Sequence, residues 1–286
     1  MKYNTIGIGV CLAAFVLACN LGTSAGTAPL GVGSLNPEAS PVFSASPSPE
    51  PSLFNPSAGA RYSVDGWEII AEGLEYRVLV PPEGDLFQMV ALRIDPMRYQ
   101  FRAHYAPTQA YPLETWLSQL PEPVALVNAN FFHPDHTILG FLVSDGLSYG
   151  RAFTDRGGWF GVQNGVPFVR HSIYEPYQGE ALEQAVQAFP MLVWQGQATQ
   201  TNPRDTRPSR RTVIGQDAQG RILLMATPAL GLGFYPLSQF LAQANLGLVN
   251  AFNLDGGGST MLWLGGVNYR LASFDGVPAV LAVYPR

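Results

Sequence analysis

The segment Leu248-Val249-Asn250-Ala251-Phe252-Asn253-Leu254-Asp255-Gly256-Gly257-Gly258-Ser259-Thr260 gathers residues that could do chemistry. An apolar strand delivers the carboxylate Asp255 to a triple-glycine turn, and apolar residues resume at Met261. Ordering a glycine within a strand costs roughly 0.5–1 kcal/mol relative to alanine. Three in succession therefore imply unusual dihedrals or a close approach to the backbone. The N–H groups of such a turn can form an anion-binding nest; the plainer alternative is a tight turn capped by its aspartate. Asp255 could act as nucleophile, general base or ligand of a bound cation. Ser259 could donate to a phosphate or merely cap the turn. Two familiar arrangements do not fit. A phosphate-cradling loop needs Lys where Gly258 stands, and a nucleophile elbow needs Gly where Met261 stands.

Two further groups of polar residues attract notice. Asn128 and Asn130 flank Ala129 inside the apolar run Val124–Phe132. A buried amide left unpaired costs about 1–3 kcal/mol, so each needs a partner: a sugar hydroxyl, a phosphate oxygen or a neighbouring turn. Arg204, Arg207, Arg210 and Arg211 form a sparse basic run, too thin for a nucleic-acid footprint but enough for one small anion. His133-Pro134-Asp135-His136 offers metal-ligand residue types, but proline breaks the spacing and a solvated loop fits better. His133 could still donate a proton.

The elements that must hold these residues read mostly as strands. Leu74–Val80, Phe87–Ile94 and Tyr99–Tyr105 alternate apolar and polar residues between Pro, Gly and Asp turns. Val124–Phe132 reads as a central strand buried on both faces. Thr212–Ile214 and Ile222–Thr227 flank the hairpin turn Asp217-Ala218-Gln219-Gly220. Helices are expected at Leu113–Leu120, at Ala181–Ala188 before Pro190, and at Leu237–Ala244, ended by Gly247. The pattern predicts an α+β domain over residues 61–286, with a mixed, mostly antiparallel sheet and a few short helices.

The 286-residue chain is 47% hydrophobic and 13% charged, ample for one packed core, and its net charge of −5 gives no reason to expect a nucleic-acid partner. Both cysteines, Cys11 and Cys19, precede the domain, so no disulfide or thiolate serves it. Lys2 and the apolar run Ile6–Leu17 form a signal peptide over residues 1–19 that is short for a membrane span. It ends in Val16-Leu17-Ala18-Cys19, which resembles a bacterial lipobox and implies acylation of Cys19, although Leu17 is larger than usual there. Two or three acyl chains would anchor the chain stably outside the cytoplasm. Residues 20–60, rich in Ser, Pro and Ala, cannot bury enough apolar area to order themselves and read as a tether reaching roughly 35 Å.

Three blocks in order resemble the phosphodiester glycosidase family: Val127–Phe132 with Gly140 and Asp145-Gly146; Arg211-Thr212-Val213-Ile214-Gly215 with Gly220; and Asn253–Thr260 preceded by the Leu237–Asn245 helix. The resemblance implies cleavage of a sugar from a phosphodiester in an envelope or environmental glycan. It makes Asp255, Arg211 and Asn128 the candidate catalytic residues, with Arg211 clamping the diester oxygens. Gly256, Gly257, Gly258, Ser259 and Asn130 become candidate phosphate or substrate contacts. The sequence assigns no cofactor, and a divalent cation at Asp255 would be compatible. Sugar hydrolysis commonly uses two carboxylates, and Asp255 has no convincing partner in the sequence. Asp135 and Asp145 are candidates, but Asp145-Gly146 is also an ordinary hairpin turn. A phosphate leaves with little protonation, so one carboxylate could suffice. Two other classes remain open: a non-catalytic module gripping anionic surface glycans, and an esterase or amidase using Ser259.

Overall fold

The computed structural model describes residues 61–62 and 66–286. The signal peptide, Cys19 and the tether lie outside the described residues.

The strands form three sheets, of nine, five and five strands, and every pairing among the described residues is antiparallel. The expected mostly antiparallel sheet and few short helices are present, but the α+β class is corrected: the fold is mainly β, and among the described residues α-helices occur only at Leu113–Gln119 and Phe234–Gln243. A parallel pair needs a crossover of about a dozen residues or more. The connections here are instead tight, as at the hairpin closed by Asp217, whose carboxylate accepts from the Gln219 and Arg221 amides at 3.0 and 2.8 Å.

The large sheet carries its centre in the strands Met89–Ile94, Ile222–Ala226, Thr212–Asp217, Leu248–Asn253 and Met191–Trp194, which are neighbours in that order. The helix Phe234–Gln243 lays Leu237 and Leu241 on its apolar face, against Leu192, Val213, Leu223 and Ala251. Each such fully buried aliphatic side chain contributes about 1.5–3 kcal/mol. The helix stops because Asn245 (φ 53°) takes the left-handed conformation that ends helices, two residues before the expected Gly247.

A second sheet runs Val166–His171, Gly158–Gln163, Gln184–Ala188, Phe141–Ser144, Leu147–Gly150. Here the expected Ala181–Ala188 helix is a strand, paired on both sides and with all five residues buried. Its polar members are satisfied within the fold: Gln187 brackets the main chain of Phe153, and Gln184 accepts from the Ala103 amide. The third sheet runs Tyr269–Leu271, Leu262–Leu264, Ala125–Asn128, Ala279–Pro285, Tyr99–Tyr105. The strand expected to reach Phe132 ends at Asn128, because from Ala129 the chain turns to meet the end of the Leu248–Asn253 strand. Asp255 lies at that junction between the first and third sheets.

Candidate active site

Asp255 is held from both sides of its own peptide units. Its N–H donates to the Ala129 carbonyl at 2.9 Å. Its carbonyl accepts from the Asn128 amide at 2.7 Å. One residue earlier, the Leu254 N–H donates to the Thr212 carbonyl at 2.8 Å. Strand ends from two sheets thus fix the backbone, and the side chain inherits that position.

The Asp255 carboxylate accepts from the Gly256 amide at 2.8 Å and from the Ser259 hydroxyl. Burial nevertheless pushes its pKa up to about 6, and the charge of Asp275 pushes in the same direction against those two bonds. A half-buried carboxylate near neutrality can take or hold a proton at physiological pH, as general bases do.

The glycines of the turn have separate causes. Gly257 has φ 62°, the left-handed region that a side chain disfavours. Gly258 leaves room for Asp275: a Cβ there would collide with the Asp275 Oδ2. The Gly258 carbonyl also accepts from the Phe274 and Asp275 amides at 2.7 and 3.1 Å, so the 272–276 loop is tied to the turn. The Gly256 amide bonds Asp255 and the Gly257 amide bonds the Arg210 carbonyl at 2.8 Å. Both are engaged inside the protein. Asp275 is the second carboxylate that sequence reasoning missed. Twenty residues and two strands separate it from Asp255, and Phe274-Asp275-Gly276 looks like any turn; its juxtaposition exists only through the fold.

Asn128 is fully buried, and its Oδ1 accepts from the Thr212 hydroxyl at 2.7 Å and the Met261 amide at 3.1 Å. Its carboxamide therefore staples the segments that carry Asp255. Asn130, also buried, donates to the carbonyls of Leu139, Phe141 and Gln187. The backbone of Arg211 lies beside Gly256, but its guanidinium turns to the 205–234 corner. There Nε donates to the Leu232 carbonyl at 3.0 Å, Nη2 to the Arg207 carbonyl at 3.2 Å, and the group lies 3.8 Å from the centre of the Phe234 ring. Burial pushes its pKa down to about 10, so it remains charged at neutral pH.

Arg210, which the sequence placed in the basic run but not among the catalytic candidates, points the other way, as adjacent extended residues do. Its Nη2 donates to the carbonyls of Thr260 (2.8 Å) and Ala272 (3.0 Å), and its guanidinium stacks on the exposed Phe274. It thereby joins the far side of the glycine turn to the loop carrying Asp275. Neither Arg210 nor Arg211 has a carboxylate ion pair among the described residues.

Among the described residues, five buried side-chain polar atoms lack a hydrogen-bond partner: Asn130 Oδ1, Arg210 Nε, Asn253 Oδ1, Thr260 Oγ1 and Ser273 Oγ. All five sit on the segments that converge at Asp255. Folded proteins satisfy nearly all their buried polar atoms, with ordered water, an ion or a bound ligand as well as with protein groups.

The other sequence candidates are elsewhere. Asp145 turns the Phe141–Gly150 hairpin (φ 48°), pairing with Arg102 at 3.0 Å and Gln184 at 2.7 Å. Asp135 lies in an exposed loop, accepting from the Thr137 amide and hydroxyl at 3.0 and 2.7 Å. No group of three His, Cys, Asp or Glu residues suited to a metal ion occurs among the described residues.

A mainly antiparallel β domain that presents a half-buried carboxylate on a glycine turn, with a second one beside it, defines a candidate hydrolase. The sequence profile of the phosphodiester glycosidase family matches residues 122–284, more than half of the chain, and the chain belongs to that family. Mouse N-acetylglucosamine-1-phosphodiester alpha-N-acetylglucosaminidase is 40% identical over 70 residues, a stretch covering 23% of this chain and 13% of the mouse protein. The zebrafish enzyme of that name, solved as a catalytic domain auto-inhibited by its pro-peptide, superposes with a TM-score of 0.58 at 17% identity, over 74% of this chain and 82% of that one. A hypothetical protein from Synechocystis superposes with a TM-score of 0.50 at 18% identity, over 76% and 63% of the two chains. At such identities the two structures share the fold.

Proposed function

We propose that this domain hydrolyses the bond between a sugar and phosphate in a sugar-1-phosphodiester. Membership of the phosphodiester glycosidase family supports the reaction class. The observation that carries the assignment to a site is Asp255: a carboxylate rigidly placed, half-buried, and brought to a pKa of about 6 by that burial.

In this mechanism Asp255 is the general base. Water attacks the anomeric carbon and gives its proton to the Asp255 carboxylate. The bond from that carbon to the phosphate oxygen breaks, its electron pair leaving with the phosphate, so that a free sugar and a phosphomonoester result. The departing phosphate carries its charge without help, so no strong acid is needed opposite the base. Asp275 keeps the proton affinity of Asp255 high through its charge. Ser259 orients the carboxylate. Asn128 acts at one remove, by fixing the Asp255 main chain. Arg210 ties the glycine turn to the 272–276 loop through the Thr260 and Ala272 carbonyls and leaves one buried cation beside the turn. The role of Gly256–Gly258 is to bring Asp255 and Asp275 together, with two of their amides already engaged.

A carboxylate held on the glycine turn with its proton affinity raised favours catalysis over a non-catalytic glycan-binding module. Ser259, bonded to a carboxylate in a turn that lacks a partnering histidine among its neighbours, offers little support for an esterase. The lipobox-like sequence at Cys19 and the tether support display of the domain outside the cytoplasm, anchored by lipid. The test is a panel of sugar-1-phosphodiesters given to the purified domain with and without chelator. Sugar release by the wild type, and none by Asp255→Asn with folding intact, is the expected result. Equal release by both proteins would refute the site.

A further inference from the structure

The segments that adjoin the Asp255 strand end carry a built cluster of rings and one cation that none of the roles above uses. Phe131 and Phe189 stack with centroids 4.7 Å apart, and Phe153 meets Phe189 edge-on at 6.0 Å. All three rings are half-buried. The guanidinium of Arg156, an exposed residue, lies 5.3 Å from the Phe153 centroid and 5.9 Å from that of Phe189.

Two routes tie this cluster to Asp255. The Phe189 carbonyl accepts from the Asn253 amide at 3.1 Å, two residues before Asp255. Phe131 follows by two residues Ala129, whose carbonyl accepts from the Asp255 N–H. These two bonds place the backbones of Phe131 and Phe189 next to the strand end that carries Asp255.

The segment 151–157 that carries Phe153 and Arg156 is strapped down. The buried Gln187 accepts from the Phe153 N–H and donates to the Phe153 carbonyl, both at 2.7 Å, and its amide also reaches the Ser172 hydroxyl at 2.9 Å. At the other end Gly157 (φ 71°) presses on Ala188, where a Cβ would collide with the Ala188 carbonyl. A loop clamped at both ends by buried groups holds its exposed arginine in one place at low entropic cost. Among the described residues the ion partner of Arg156 is the neighbouring exposed Asp155, to whose two carboxylate oxygens Nε and Nη2 donate at 3.0 and 2.7 Å. Exposed pairs of this kind contribute little in water, so an incoming anion can take Asp155's place.

Resting on the proposed function, we infer that Arg156, seated on the Phe153 and Phe189 rings, binds the phosphodiester group of the substrate, with the exposed faces of the phenylalanine wall bordering its sugar. The fork of a guanidinium matches two phosphate oxygens, and Arg156 presents it by exchanging the exposed Asp155 carboxylate for the phosphate. Arg211 has already turned its guanidinium to two carbonyls. Gln187 is the positioning residue for this arm.

The test combines kinetics with binding of a sugar 1-phosphate by calorimetry. Arg156→Gln should raise KM for a sugar-1-phosphodiester by about tenfold or more, as loss of a charge-assisted contact does, while kcat changes little. It should weaken sugar 1-phosphate binding by a similar factor and flatten its salt dependence, leaving affinity for the free sugar unchanged. Gln187→Leu, which keeps the volume but loses the clamp, should raise KM in the same direction with the fold intact by circular dichroism. Hydrolysis with an unchanged KM in Arg156→Gln would overturn the inference and leave the proposed function standing. Arg156-dependent phosphate binding without hydrolysis would uphold the inference and overturn the function. Neither binding nor hydrolysis by the wild type would overturn both.

Discussion

Asn128 donates its amide to the main-chain carbonyl of Asp255 at 2.7 Å, across the junction of two sheets. The two residues are 127 positions apart, and the bond couples the geometry of the candidate base to the integrity of the fold. Asn128→Ala would leave the Thr212 hydroxyl, the Met261 amide and the Asp255 carbonyl buried without their partner. Unfolding by denaturant should show a loss of about 2–4 kcal/mol, from unpaired groups costing about 1–3 kcal/mol each with partial relaxation. In the fraction that folds, kcat should fall more than KM rises, because the carboxylate is displaced rather than a substrate contact removed.

The raised pKa of Asp255 carries a stability consequence of definite sign. A carboxyl whose folded pKa lies above its unfolded value stabilises the fold fully below about pH 4, and that stabilisation is lost as pH rises through about 6. Each tenfold change in proton affinity is worth about 1.4 kcal/mol. Asp255→Asn, which cannot ionise, should therefore be more stable than the wild type at pH 8 by on the order of 2 kcal/mol. Thermal or chemical unfolding across pH 4–8 should show the gap closing as pH falls. A constant gap would mean that the buried charge is not its source.

Activity should follow the same group. The acid limb of kcat/KM should show an apparent pKa near 6, since a protonated Asp255 cannot accept the proton of water. Removing the Asp275 charge lowers the Asp255 pKa, so Asp275→Asn should shift that limb to lower pH. A limb that stays in place would separate Asp275 from the electrostatics of Asp255.

Gly258→Ala tests the packing of the turn. Its methyl would collide with the Asp275 carboxylate, so either the 272–276 loop or the turn must move. The expected outcome is a drop in activity with a lesser loss of stability, of about 1–3 kcal/mol, as for overpacking elsewhere. Asp275→Ala in the same chain should recover the stability and leave the activity low.

Much of the site was legible in sequence because its backbone need was local. The Asp255–Gly258 turn announces itself by three adjacent glycines, and Asn128 by an amide inside an apolar run. Arg211 and Arg210 illustrate the limit: consecutive residues on an extended chain face opposite ways, and nothing in the sequence says which one reaches the turn. Asp275 was invisible for a different reason, since only tertiary packing brings it against Gly258. The Gln184–Ala188 strand was mistaken for a helix because Ala, Leu, Glu and Gln favour helices locally. Pairing on both edges, with every side chain buried, overrode that preference. The strand also supplies Gln187, which no periodicity would single out.

The most direct measurement of the central claim is the rate at which the purified domain releases sugar from a sugar-1-phosphodiester, compared between the wild type and Asp255→Asn, a variant expected to fold at least as well. The account predicts release by the wild type and a loss of a thousandfold or so in the variant, in line with removal of a general base. Equal rates in the two proteins would contradict it.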